Sequence, residues 1–384
     1  MTAHRTPSQR ICASAAIGLV VLLLASVARL YHPRFGFTEM IGFGDGTGEL
    51  AALQALPHSR HPPWGSYDGQ FYAQLALEPL LRDPAIDKAL DLPPYRARRI
   101  LFSWTAWALG VGRPEWILRA YALQNVLVWL VLAALMTRWL APTTPRGLAL
   151  WTACLFSHGM LTSVRSALLD GPSMLLIALA IAASERQRLL VSAAIVGIAG
   201  LGRETNLLAV LGLPRAKGPH AWAKLGLALV MAVTPLLLWQ DYLRSIYRST
   251  SAAGRDQIDR PLMVYVDVLS QSLNKVLWGD PTLLDAFKLG VIVCLAVQLA
   301  YLVYRRYYAS PWWRVALGYA VLMLLVHKVV WDGYPGAVTR VTLPLAFGFN
   351  VLLAREANRG FWGWYVLGNL HVLPAAMLLP FHPG

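Results

Sequence analysis

An all-α, polytopic helical membrane protein is what this sequence predicts, on three observations. Of its 384 residues, 57% are hydrophobic and only 14% are charged, where an ordinary soluble domain carries roughly 25% charged residues. The mean hydropathy is +0.48. Apolar runs long enough to cross about 30 Å of hydrocarbon recur along the whole length. Together they give about nine to eleven membrane segments in a single integral-membrane domain covering residues 1–384.

The first run, residues 11–28, follows the polar start MTAHRTPSQR. It is longer than the roughly 7–15 residues of a signal-peptide core. A retained first span within residues 1–30 is therefore expected, with its basic end in the cytoplasm; a cleaved signal ending at Ser26-Val27-Ala28 is the alternative. Residues 31–99, rich in Gly, Pro, Asp and His, form a first external loop too long for a simple connector. Inside it a helix is expected from near Gly69, lying on the membrane surface through Phe71 and Leu75.

Residues 100–112 are apolar but too short to span, so a re-entrant or interfacial piece is expected there. A span follows in WILRAYALQNVLVWLVLAALM, then LALWTACLFSHGMLTSV and PSMLLIALAIAAS, joined by RSALLDG. The run from Leu189 is interrupted by Arg203-Glu204, as two half-spans at a polar turn or one span with an internal ion pair. Further spans are expected at about 222–239, 283–304, 313–330, 337–353 and 361–380, with a second polar segment between Asp241 and Pro281.

Placing the first loop outside puts Arg138, Arg146, Arg186, Arg188, Arg215, Lys217, Lys224, Arg305, Arg306, Arg314, Arg355 and Arg359 on the inner connections. Short outer connections then carry few, chiefly Arg165, Arg203, Lys328 and Arg340, which agrees with the positive-inside rule provided the Arg203-Glu204 segment dips in from the outer face. The net charge of +14 is scattered between apolar runs, with no basic tail and no compact soluble part, so nucleic acid is excluded as a partner. Cys12, Cys154 and Cys294 all fall inside apolar runs and read as small buried hydrophobes, not as redox groups. No internal repeat of the kind that builds transporters is evident.

The outer face collects Asp45, the Tyr67–Tyr72 segment, Arg96, Arg98, Arg99, Arg165, Asp170, Arg203, Glu204, Lys328, Asp332 and Arg340. Charges in a bilayer are costly, so such a set suggests a shared polar cavity, against snorkelling or structural pairing. Asp68, in YDGQFYAQLA, can cap a helix. It can equally serve as a general base on a hydroxyl that Tyr67, Gln70 and Tyr72 orient. YRARR offers Arg96, Arg98 and Arg99 as a phosphate clamp or as a head-group contact. Asp45, among glycines in GFGDGTGEL, is a turn residue or a second acid or metal ligand, and no nucleotide-binding loop is present. His58 and His61 read as loop residues or as metal ligands. Arg203 either neutralises Glu204 or positions a lipid phosphate.

These motifs resemble those of the GT-C glycosyltransferases. YDGQFYAQLA is similar to the first-loop element of the polyprenyl-phosphate-mannose-dependent, GPI-mannosyltransferase-like branch, and YRARRILFSWTAWAL to the stretch that follows. GRETN and AVTRVTLPLAF are similar to the family's Arg-Glu turn and its late Arg-x-x-x-Pro element. Bacterial relatives of this sort are associated with cell-surface glycopolymer formation. The resemblance implies a GT-C-like fold in the bacterial inner membrane. It implies inverting transfer of a sugar from a polyprenyl-phosphate donor to a glycan or lipid acceptor on the periplasmic face. Asp68 would be the base, and Arg96, Arg98, Arg99, Arg203 and Arg340 would hold the lipid phosphate. The first loop has no adjacent Asp-Asp, Asp-Glu or Asp-x-Asp pair, so a divalent cation is permitted but not required. The rival readings are a lipid-linked glycan flippase or transporter, and a ligase or polymerase with a lipid-pyrophosphate donor.

Overall fold

The computed structural model describes residues 6–45, 48–62, 65–216, 218–247, 260, 262–331, 337–357 and 360–379. In chain order the α-helices are α1 (Pro7–Ala28), α2 (Ala51–Gln54), α3 (Gly69–Leu77), α4 (Ile86–Ala89), α5 (Pro93–Ala97), α6 (Leu101–Leu109) and α7 (Pro114–Met136). They continue as α8 (Pro145–Leu155), α9 (His158–Arg165), α10 (Asp170–Glu185), α11 (Leu189–Gly202), α12 (Ala221–Ile246), α13 (Met263–Trp278) and α14 (Leu283–Arg305). The last are α15 (Pro311–Leu325), α16 (Lys328–Trp331), α17 (Val338–Val341), α18 (Leu343–Leu353), α19 (Phe361–Gly368) and α20 (Val372–Ala375). Among the described residues, the sheet is a parallel pair of two-residue strands, β1 (Phe43–Gly44) and β2 (Arg60–His61). The protein is all-α.

Among the described residues, four helices, α1, α7, α12 and α14, are long and apolar enough to cross a membrane, and α8 with α9 makes a fifth if that pair, bent by 49°, counts as one span. Side chains such as Ile11 and Ile17 on α1 and Val230 and Leu238 on α12 are apolar yet exposed, as lipid-facing positions are. The sequence led to an expectation of about nine to eleven segments, and the difference lies in where helices stop. α11 ends at Gly202 because Arg203 is extended, and the chain goes on as a 3-10 helix, Glu204–Gly212. α15 stops at Leu325 before an extended Val326. The 337–353 run breaks at Thr342, ahead of Pro344, and the 361–380 run breaks at Asn369. In the second polar segment, α12 reaches Ile246 and α13 begins at Met263.

The chain separates into two compact units. Unit 1 takes Met1–Ser26, Leu130–Thr162 and Asp256–Pro380; unit 2 takes Val27–Trp129, Ser163–Arg255 and Phe381–Gly384. In unit 2, α11 packs between α10 and α12, and α3 packs on α6. Gly197 permits the α11–α12 approach, since a Cβ there would sit 2.5 Å from the Met231 carbonyl oxygen. The first loop is folded: Ile41, Phe43, Leu50 and Leu53 join Phe71, Leu75, Ile117 and Tyr121 in one core. One expectation is corrected here. Gly69 through Ala76 are all buried in protein, so α3 does not lie on a membrane surface by one apolar stripe. Its polar faces can turn inward because Gln70 and Gln74 find backbone partners there.

In unit 1, α14 packs against α13, α15 and α19, and α18 against α15 and α8. Some of its buried polar side chains pair with one another. The Asn350 and Asn369 amides exchange reciprocal hydrogen bonds of 2.9 and 3.0 Å, and His158 Nδ1 lies 3.1 Å from Thr339 Oγ1.

Candidate active site

The polar centre of unit 2 starts at the first turn of α3. Gly69 is fixed by proximity: a Cβ there would lie 2.6 and 2.7 Å from the carbonyl oxygens of Ser166 and Ile41. Asp68 stands at the N-cap position in helical backbone geometry and makes no side-chain capping bond. The capping reading therefore gives way, because the carboxylate is engaged elsewhere. Its Oδ1 accepts from Arg96 Nη2 at 2.9 Å, with the Asp68 side chain 37% exposed and that of Arg96 only 9%.

Arg96 is delivered by α5, which starts on Pro93-Pro94, where missing N–H groups cost nothing. Its guanidinium donates to both oxygens of Asp91, Nε to Oδ1 at 2.8 Å and Nη2 to Oδ2 at 2.7 Å. It lies 4.7 Å from the Phe71 ring centroid and 3.5 Å, through Nη1, from the Tyr72 hydroxyl. Arg99, one turn on, donates Nε to Glu204 Oε2 at 3.0 Å, and its guanidinium sits 4.3 Å over the Tyr95 ring. Burial works against both charges. For Arg96 the Asp91 bond and the nearby Tyr72 and Asp68 outweigh it, for Arg99 chiefly Glu204, so both hold their protons more tightly than usual. Arg98 is half-buried and donates Nε to the Pro94 carbonyl at 3.3 Å.

The three expected sugar-binding residues divide. Tyr67 is exposed at 38%, with its backbone N–H bound to the Gly42 carbonyl at 3.0 Å. Tyr72 is buried at the guanidinium of Arg96. Gln70 is buried and its Oε1 accepts from the Gly44 N–H at 3.1 Å, which ties β1 to α3. Arg203 pairs with Asp170, and Glu204 with Arg99. Asp45 is exposed in the turn after β1, its N–H bound to the His61 carbonyl at 2.9 Å.

His58 and His61 face different acids, Glu49 at 3.2 Å and Glu39 at 3.4 Å. Among the described residues, no three His, Cys, Asp or Glu side chains converge as a metal site would need. Arg165 pairs with Glu39 at 3.6 Å. Arg340 and Lys328 belong to unit 1, Arg340 half-buried in α17 and Lys328 within 3.3 Å of Gln271 Oε1. Asp332 lies outside the described residues.

Sequence reasoning missed Asp91, Gln74 and Glu39. Asp91 lies five residues before Arg96 across a Pro-Pro start, a spacing that carries no helical signal. Gln74 was legible only as the i+4 neighbour of Gln70. It accepts from the Leu50 N–H at 2.9 Å and donates to the carbonyls of Gly48 and Ala89 at 3.1 and 3.2 Å. No protein-family model, no curated protein and no solved structure matches the chain.

Proposed function

We propose that the protein is an inverting glycosyltransferase of GT-C type that moves a sugar from a polyprenyl-phosphate donor to a glycan or lipid acceptor. The arrangement read from the sequence goes with it: about nine to eleven membrane segments, with the first loop on the external face of a bacterial inner membrane. The observation that carries this reading is the half-exposed carboxylate of Asp68, tethered to the buried guanidinium of Arg96 and beside the exposed Tyr67. A carboxylate paired with a buried guanidinium and still 37% exposed suits a general base.

In the proposed reaction Asp68 takes the proton of the acceptor hydroxyl, and the acceptor oxygen attacks the anomeric carbon. The bond from that carbon to the phosphate oxygen breaks, and the polyprenyl phosphate leaves with the electron pair. One displacement inverts the anomeric centre. Tyr67 offers its ring and hydroxyl to a sugar. The arginines take different parts from those the motif alone suggested. Arg96 and Arg99 each bind a carboxylate of the chain, and Arg98, the least buried of the three, is assigned the leaving phosphate.

The test is a panel of polyprenyl-phosphate and polyprenyl-pyrophosphate sugars offered to the purified protein with a glycan acceptor. Release of free lipid monophosphate, matched by an acceptor product of inverted configuration, is expected. Turnover of pyrophosphate donors alone would assign the chain to a ligase or polymerase. Solute movement in proteoliposomes without any sugar donor would assign it to a transporter.

A further inference from the structure

In unit 2 the chain turns through Gly110–Arg113 between α6 and α7, and the side chains around that turn are apolar and exposed. They are Trp107, Leu109, Val111 and Trp116, with Val111 exposed by 81%. The backbone carries Val111 outward under strain. It is held at φ +49°, a left-handed geometry that suits the following Gly112 at φ +70° but not a β-branched residue. The polar groups of the turn are satisfied within the protein. The N–H groups of Gly110, Val111, Gly112 and Arg113 donate to the carbonyls of Ala106, Ala108, Trp107 and Gly110 at 2.8, 3.1, 3.2 and 2.9 Å. Pro114 has no N–H to satisfy. Polar side chains of α6 also bond inward: Ser103 Oγ to the Tyr72 carbonyl at 2.7 Å, Trp104 Nε1 to the Pro79 carbonyl at 3.1 Å and Thr105 Oγ1 to Gln124 Oε1 at 2.8 Å. Water is scarce beside hydrocarbon, and backbone groups there need partners inside the protein.

The turn stands at the end of a helix of membrane-spanning length. α6 runs antiparallel to α7, since Thr105 meets Gln124 while Gly110 abuts Ile117, where a Cβ would lie 2.5 Å from the Ile117 nitrogen. α7 has 23 residues and so rises about 34 Å, against about 30 Å of hydrocarbon. Its first turn therefore reaches the head-group layer when the helix spans. Trp116 lies on the same side of α7 as exposed Leu127 and Val131, eleven and fifteen residues on, close to whole helical turns. The tip thus continues the face that α7 gives to lipid, and it carries two tryptophans where aromatic residues concentrate in membrane proteins. The charged groups beside it, Arg113, Glu115 and Arg119, are exposed, and the Arg119 guanidinium lies 6.0 Å from the Trp116 ring centroid.

We propose that this tip is seated in the head-group layer of the bilayer, with Trp107, Leu109, Val111 and Trp116 against the upper acyl chains. The short apolar piece before α7 is then an interfacial anchor and not a re-entrant pass. It also sets the depth of the polar centre, because α6 begins two residues after Arg99 and is about 13 Å long. The proposal is independent of the sugar-transfer reading.

The test is electron paramagnetic resonance of the full chain in phosphatidylcholine liposomes, with a nitroxide on L109C or V111C and, for comparison, on R82C at an exposed charged position of the first loop. The native cysteines are buried and stay unlabelled. Collisions with oxygen, which concentrates among acyl chains, are read against collisions with a water-soluble nickel chelate. The oxygen-to-nickel ratio is expected to be several-fold higher at L109C and V111C than at R82C. Should V111C fail to fold, L109C alone decides. A ratio no higher than that of R82C would overturn the proposal. So would spin–spin broadening between labels, which would put a second copy of the chain on the tip in place of lipid.

Discussion

Arg96 serves two carboxylates with one charge. Asp91 takes its fork through two bonds and Asp68 takes one, so the three groups together keep a formal charge of −1. In the proposed reaction that surplus belongs to the base. Removing the Asp91 charge with D91N leaves Arg96 to Asp68 alone and favours the ionised form of Asp68. The acid limb of the pH–rate profile is then expected to move to lower pH, and the rate to fall as the base weakens. An unshifted limb would show that Asp91 has no electrostatic hold on the site. Gln74 is a second residue-scale case. Q74L strands the Leu50 N–H and the Gly48 and Ala89 carbonyls, and is expected to cost at least about 3 kcal/mol in denaturation of the purified protein. The sequence made Asp68 and the arginines visible, because polar side chains stand out in an apolar chain. It hid their pairing, since Asp68 and Arg96 meet across 28 positions and Arg99 and Glu204 across 105.

At the scale of elements, the Arg99–Glu204 pair joins the end of α5 to the break after α11. Breaking it on one side leaves a carboxylate with little water, so R99M is expected to destabilise by about 3 kcal/mol. The double replacement R99M/E204L is expected to recover most of that loss, because both charges go together. Additive losses in a denaturation cycle would mean that the two residues act separately. The long apolar runs were legible as α1, α7, α12 and α14, since continuous hydrophobicity over about 20 residues has few other uses. The interruption at Arg203 was legible too, and the extended backbone there confirms a break. The bend between α8 and α9 and the inward burial of α3 were not. Both depend on which surfaces pack together, and periodicity within one segment is blind to that.

For the whole molecule, composition together with the recurring span-length apolar runs pointed to an all-α membrane protein, because bulk apolarity reports on the solvent a chain is built for and run length on the helices that cross it. The facing of the first loop is a separate matter, and the native cysteines make it measurable. Cys12, Cys154 and Cys294 are all buried, so a single cysteine at exposed Tyr67 has a quiet background. With Y67C in intact cells, a membrane-impermeant maleimide is expected to label the protein before lysis. Labelling only after lysis would place the Asp68 site on the cytoplasmic side and remove the proposed donor from its reach.

The central claim is that the Asp68 carboxylate removes a proton from the acceptor. Its most direct test is the rate of lipid-phosphate release by purified D68N beside wild type, with equal protein in the membrane and equal thermal stability. A fall of about 10²–10⁴-fold is expected for loss of a general base. Release at the wild-type rate by D68N would contradict the account.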